Sequence, residues 1–410
     1  MGAAHHCRVC RTQLSQSFVD LGLSPLANSY VPAEARDRGE VFHPLHAFVC
    51  TNCFLVQLAE FESPAAIFSD YAYFSSYSSD WLRHAERYAG EITQRLGLGP
   101  QSRVVEIASN DGYLLQYFIA RGVPVLGVEP AANVAAVARE KGIQTEILFF
   151  GEATARQLRA AGPPADLMVA NNVLAHVPDI LDFVTGFAVM LAPEGVATFE
   201  FPHLLRQMRG LQFDQIYHEH FSYLSLLVVR DVMRRCGLRV FDVEELPTHG
   251  GSLRVFVTHA GATHVETEGV ARVIADERAA LLDRLEGYTG FGAAARDVRF
   301  GALEFFIAAA RANKRVCAYG AAAKGNTFLN YVGIGADLIE AVADRSPHKQ
   351  GTLLPGSRIP VVSPEAITAL RPDYLLILPW NLRPEIARDM GHIKQWGGRF
   401  VTAIPSIEVF

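Results

Sequence analysis

Val104-Val105-Glu106-Ile107-Ala108-Ser109-Asn110-Asp111-Gly112 reads as a strand that ends on a carboxylate and a few small residues, then turns through polar residues into a helix. Around it, over residues 100–245, strand-like and helix-like segments alternate, with strands at 103–107, 125–129, 167–170 and 196–201 and helices starting at 113 and 131. This α/β order predicts a doubly wound parallel sheet, in which ligands bind at the carboxyl ends of the strands.

The turn lacks the GxGxxG of a dinucleotide binder. Those glycines let a pyrophosphate approach a helix N-terminus, whereas a cofactor without phosphate can rest against Ala108 and Asn110. Glu129 ends the second strand, 23 residues after Glu106, where a carboxylate can accept both ribose hydroxyls of a nucleoside. A helix N-cap is the plain alternative for that residue. Glu106, Ala108, Asn110, Gly112 and Glu129 together favour a nucleoside cofactor with no phosphate, which is the description of S-adenosylmethionine. The third strand runs into Asn171 and Asn172, expected on the cofactor's amino acid or adenine edge, and then His176, expected to face substrate.

Upstream, Cys7, Cys10, Cys50 and Cys53 form two CxxC pairs. Each pair lets a tight turn aim two sulfurs at one ion, and four thiolates complete a tetrahedral shell, so a structural Zn2+ is expected. The surrounding His5, His6, His43 and His46 are left out of that shell. Residues 1–66 hold four Lys/Arg against six Asp/Glu, which is not the basic face of a nucleic-acid-binding zinc ribbon. Loop 23–30 reads as packing. The Tyr/Ser-dense connector 71–79 precedes a helix at 81–96, and its Tyr73 and Tyr77 are candidates to line a substrate pocket.

Downstream, Asp214-Gln215-Ile216-Tyr217-His218-Glu219-His220-Phe221-Ser222-Tyr223 packs titratable groups densely. A neutral histidine is suited to taking a proton near neutrality, with a carboxylate on its other nitrogen to fix the tautomer. His220 is the candidate base. In a regular strand Tyr217 and Glu219 would face away from His220, so a loop or bend is expected.

Beyond this block, a helical region at about 266–313 should be broken by Gly287, Gly290 and Gly292. A strand at 316–319, a small-residue loop at 320–326 and a helix from 327 would make an anion site, with Lys324 and Asn326 holding a diphosphate. Further strands are expected at 339–344 and 374–378, the latter leading into Pro379-Trp380-Asn381.

A chain of 410 residues, 50% hydrophobic and 20% charged, can bury the cores of two or three domains. The net charge of -6 and the lack of a Lys/Arg run speak against a nucleic-acid partner. No apolar run approaches the roughly 20 residues of a membrane helix, and the N-terminus lacks a signal-peptide pattern, so a cytoplasmic enzyme without membrane attachment is expected.

The CxxC pairs, Val-Glu-Ile-Ala-Ser-Asn-Asp-Gly, Gly127-Val128-Glu129-Pro130, the Tyr217–Tyr223 block and Tyr319-Gly320-Ala321-Ala322-Ala323-Lys324-Gly325-Asn326 together resemble the sugar C-methyltransferases that act on nucleotide-linked deoxysugars. The resemblance spans nearly the whole chain. It implies a zinc-binding domain (1–66), a Rossmann-like S-adenosylmethionine domain (67–262) and a second Rossmann-like domain holding a sugar nucleotide (263–410), in a monomer. It further implies methylation at C-3' of a dTDP-linked 4-keto-deoxysugar for an antibiotic glycoside, with Tyr217, Glu219, His220 and His176 around the sugar and Tyr73, Tyr77 and Tyr223 binding it. Methylation at C-5', or an RNA-modifying methyltransferase, are the alternatives.

Overall fold

The computed structural model describes residues 5–63 and 74–410, so Tyr73 lies outside the described residues. The N-terminal part holds strands β1 (Gln16–Ser24), β2 (Val31–Pro32), β3 (His43–Val49) and β4 (Val56–Leu58), with β1, β3 and β4 joined antiparallel. Alternation in β3 buries Leu45, Ala47 and Val49 on one face. That face shares one core with the long helix Phe291–Arg311, and Phe18 stacks on Phe291 with ring centroids 4.6 Å apart. Such a pair adds about 0.5–1.5 kcal/mol to the area it buries.

The central sheet contains β5 (Val104–Ile107), β6 (Val125–Val128), β7 (Thr145–Glu146), β8 (Ala165–Asn171) and β9 (Leu191–Pro202). After the two-residue β10 (Ser222–Tyr223), which pairs with β4 in the N-terminal sheet, it is completed by β11 (Leu238–Leu246) and β12 (Ser252–His259). The order is β11-β12-β9-β8-β5-β6-β7, with β12 antiparallel to both neighbours and the rest parallel. Every residue of β5 is buried, as expected of a strand covered on both faces. One cover is helix Ser79–Leu96. Ser78 Oγ caps it by accepting from Trp81 N, Gly97 at φ 63° ends it, and Ala85, Tyr88, Ala89 and Ile92 face the sheet. Among the described residues, no helix is long and apolar enough to cross a membrane.

The helical stretch that follows breaks as its glycines predict, into Glu268–Ala279 and Phe291–Arg311, with Gly290 at φ 87° as the cap of the second. The C-terminal sheet comprises β13 (Val316–Tyr319), β14 (Val342–Ala343), then, beyond β15 (Thr352–Leu353), β16 (Val361–Val362), β17 (Tyr374–Ile377), β18 (Arg399–Thr402) and β19 (Glu408–Val409). Its order β16-β14-β13-β17-β18-β19, parallel except for β19, is the doubly wound 3-2-1-4-5-6 pattern. Two boundaries differ from expectation. The strand expected at 339–344 is only Val342–Ala343, and the helix expected from 327 starts at Ala323, so Lys324 and Asn326 sit in its first turns rather than in a loop.

The N-terminal and C-terminal parts of the chain are fastened together. Strand β15 pairs antiparallel with β2, and Arg358 Nε donates to Glu40 Oε2 at 2.5 Å.

Candidate functional site

At the carboxyl end of β5 the backbone curls through positive φ at Ala108 (55°), Asn110 (51°) and Gly112 (77°). Only glycine suits the last position, since an added Cβ would lie 2.1 Å from Ile143 Cδ1. Glu129 braces the curl, with Oε2 accepting from Asn110 N and Oε1 from Ala131 N, each at 2.9 Å. Its carboxylate thus holds the residue before the next helix but is not that helix's N-cap, which is Ala131, and its remaining lone pairs can still take ribose hydroxyls. Asn110 Oδ1 accepts from Ser75 N at 2.9 Å and Lys141 Nζ donates to Asp111 O and Ser76 Oγ, tying the connector over this loop.

Around the same strand ends, acceptors are left over. Among the described residues, both Glu106 carboxylate oxygens, Ser109 Oγ, Asp111 Oδ1, Asn171 Oδ1 and Asn172 Oδ1 are buried without a hydrogen-bond partner. Burial, with Glu129 and Asp111 nearby, pushes the Glu106 carboxyl well above its ordinary range. Buried polar atoms are almost always satisfied, so a cluster of orphans at the ligand-binding end of a doubly wound sheet fits a polar nucleoside carrying an amino acid.

The four cysteines expected to hold zinc converge. The Sγ atoms of Cys7, Cys10, Cys50 and Cys53 all lie within 4.8 Å of one another, and none is in a disulfide. Each CxxC closes a knuckle, with Arg11 N donating to Cys7 O and Phe54 N to Cys50 O, while Gln57 Nε2 and Asn52 N point at sulfurs. With thiolates at all four corners, the site is structural.

On the substrate side, the chain passes from a 3-10 turn, Phe213–Gln215, through a bend closed by His220 N on Tyr217 O (2.8 Å), into β10. The bend brings His220 against Tyr217, with ring centroids 4.0 Å apart. The short turn Leu174–His176, held by Phe221 N on Ala175 O, places His176 at 4.6 Å and 72° to His220. His220 Nδ1 lies 2.8 Å from Gln215 O, and a carbonyl only accepts, so Nδ1 carries the proton and Nε2 keeps its lone pair. Burial holds the imidazole well below its ordinary pKa, hence neutral, and holds His176 at about 4.

Four expectations are corrected by position. The partner that fixes the His220 tautomer is a backbone carbonyl. Glu219 instead accepts from Asn28 Nδ2 at 2.7 Å, and burial pushes its carboxyl up to about 7. Tyr223 is 3% exposed and packs in the core below His220, because β10 is consumed in pairing with β4. Tyr77 is 64% exposed, with its ring tilted 32° to that of Phe74 at 5.5 Å, so it points to solvent rather than lining an enclosed pocket. Asn326 is 1% exposed and donates to Ala27 O at 2.6 Å, which fastens the C-terminal helix to loop 23–30 and buries the amide away from a diphosphate.

Lys324 lies near the base, its charge acting on both His220 and His249. Its Nζ donates to Asn381 Oδ1 at 2.8 Å and lies 5.2 Å from the Trp380 ring centroid, while Trp380 Nε1 donates to Asp214 Oδ2 at 2.7 Å. His249 was missed. It adopts φ 54°, its carbonyl accepts from Gln215 Nε2 at 2.9 Å, and burial beside Lys324 lowers its pKa to about 4. The signal was available in His249-Gly250-Gly251, a turn whose two glycines (φ 87° and 122°) let backbone and Trp380 crowd together.

The sheet order and the acceptor-rich strand end define an S-adenosylmethionine-dependent methyltransferase, with zinc as a structural ion. Three family profiles match in succession, a zinc binding domain over residues 7–68, a methyltransferase domain over 81–243 and a C-methyltransferase C-terminal domain over 247–405. The chain is 36% identical to C-methyltransferase NovU of Streptomyces niveus over 403 residues, covering 98% of itself and 96% of that protein, and it belongs to that C-methyltransferase family. A shorter match, 26% over 154 residues, is to the ubiquinone biosynthesis O-methyltransferase of Agrobacterium fabrum, covering 35% of this chain and 58% of that one. Among solved structures, magnesium protoporphyrin IX methyltransferase from Synechocystis PCC 6803 with bound SAM matches at 14% identity and a TM-score of 0.33, over 43% of this chain and 79% of that one.

Proposed function

We propose that the chain methylates the ring carbon beside the ketone of a dTDP-linked 4-keto-deoxysugar, at C-3', in making a deoxysugar for a secondary metabolite. The observation that carries this reading is the neutral His220, with Nδ1 spent on the Gln215 carbonyl so that Nε2 keeps its lone pair. Methylation at carbon needs a carbanion equivalent, and a C–H beside a ketone provides one once a base removes its proton. The cofactor, when bound, supplies an electrophilic methyl group.

In this reading Glu106, Asn110, Glu129, Asn171 and Asn172 hold the cofactor, Glu129 on the ribose. Tyr217, His176 and Glu219 surround the sugar, and a Glu219 carboxyl that keeps its proton near neutrality can donate to a sugar oxygen. The division into 1–66, 67–262 and 263–410 follows, in a monomer whose first part reaches the central one through Asn28 on Glu219 and the last through Tyr30 on the Ala321 carbonyl, which Lys349 also holds.

Two measurements check it. With methyl-labelled cofactor and a dTDP-4-keto-6-deoxysugar, the label should arrive on ring carbon; label only on oxygen or nitrogen would end the proposal, and label at C-5' would move the assignment to the ketone's other neighbour. Glu129→Ala should weaken binding of S-adenosylhomocysteine by about 1–3 kcal/mol, the cost of leaving buried donors unmatched. Titration calorimetry reads this directly, and unchanged affinity would remove Glu129 from the cofactor site.

A further inference from the structure

The helix that begins at Ala323 packs against the turn that carries the base. Thr327 Oγ1 donates to Ile216 O at 3.1 Å, and Phe213 lies against Phe328 and Tyr331. This docking brings Lys324 near His220, where its charge joins burial and His176 in lowering the pKa of that imidazole. The links can be followed atom by atom. Gln215 O holds His220 Nδ1, the preceding residue Asp214 holds Trp380 Nε1, and Lys324 lies over the face of that indole with Nζ on Asn381. On the other side, Gln215 Nε2 holds the His249 carbonyl, and an added Cβ on Gly250 would lie 2.3 Å from the Trp380 ring.

Lys324 lies deep in the molecule yet keeps some accessible surface, as do Tyr217, His176, His249, Trp380 and Asn381. An ammonium has three N–H donors. Among the described residues Lys324 uses one, on a neutral amide, and the carboxylate nearest in the chain of contacts, Asp214, has one oxygen on Trp380 and the other buried without a partner. A cation with donors to spare, held beside a neutral base, is matched to an anion that forms only when the base acts.

We propose that Lys324 meets the substrate oxygen on which negative charge develops as His220 takes the proton, so that it is a catalytic residue and not a diphosphate anchor. This rests on the reading that the substrate carbon lies beside a ketone. In that step the C–H bond breaks and the proton goes to His220 Nε2. The C–H electron pair becomes the carbon–carbon double bond, and the carbonyl π pair moves onto oxygen, where the Lys324 ammonium balances it. Asp214, Trp380 and Asn381 are positioning residues for that ammonium.

Washout of deuterium from the carbon beside the ketone, with S-adenosylhomocysteine in place of the methyl donor, isolates proton removal from methyl transfer. For Lys324→Met in the full chain, washout should fall by about 10²–10³-fold, as when one oxyanion donor is removed, while dTDP binds with wild-type affinity. Lys324→Gln is the second variant should the first fail to fold, with melting temperature and zinc content as checks. Wild-type washout together with lost dTDP affinity would overturn the proposal in favour of a diphosphate anchor. If the wild-type enzyme methylates an acceptor but washes deuterium from no keto-sugar, the keto-sugar reading itself fails, and the inference with it.

Discussion

His220→Asn should cut methyl transfer by about 10²–10⁴-fold, the usual contribution of a positioned general base, while cofactor affinity and melting temperature stay at wild-type values. The amide preserves size and the donor to Gln215 O but offers no basic nitrogen. Single-turnover rates with saturating cofactor give the number, and wild-type turnover in the variant would remove His220 from the mechanism. The pH profile supplies a second check. Burial, with His176 next in effect, holds the folded pKa of His220 well below 6.5. The base therefore stays neutral as pH falls through the ordinary histidine range, and the acid limb of kcat/KM attributable to it lies below pH 6.5.

Stripping the zinc should abolish activity as well as unfold the first sixty residues. The binding free energy of such an ion is folding free energy, on the order of 10–16 kcal/mol in isolated zinc modules at neutral pH. The module supplies Asn28 to Glu219, Ala27 to Asn326 and Tyr30 to Ala321, so its collapse opens one wall of the cleft. Cys50→Ser, or prolonged treatment with a strong chelator, should bring metal content towards zero, lose hydrogen-exchange protection in β1 and β3, and lose methyl transfer while the central sheet still binds S-adenosylhomocysteine. Full turnover by metal-free protein would refute a zinc-dependent site.

The sequence made the central sheet legible because its strands are continuous apolar runs ending in polar residues, and the knuckles because spacing alone brings four sulfurs together. It pointed to a bend at Tyr217–His220 too, by setting Glu219 beside His220, which a regular strand forbids; the bend is there, but it brings Tyr217 to His220 instead. What it hid is tertiary. Asn326 and its partner Ala27 lie 299 positions apart, and no periodicity reports such a bond. Glu219 next to His220 in sequence suggested a dyad, but adjacent side chains in a bend diverge, one to Asn28 and the other to Gln215. The helix at Ala323 was hidden by Gly325, which reads as a loop residue and is there because an added Cβ would meet Leu378 at 2.9 Å.

The core shared by β1, β3 and the helix Phe291–Arg311 bears on how the chain is made. Residues up to Val49 leave the ribosome with one face of their sheet uncovered, and the helix that covers it begins 242 residues later. At roughly 5–20 residues per second that interval lasts about 12–50 s. During synthesis a metal on Cys7, Cys10, Cys50 and Cys53 can add to the β1–β3–β4 pairing in holding this half-built sheet until its distant partner arrives.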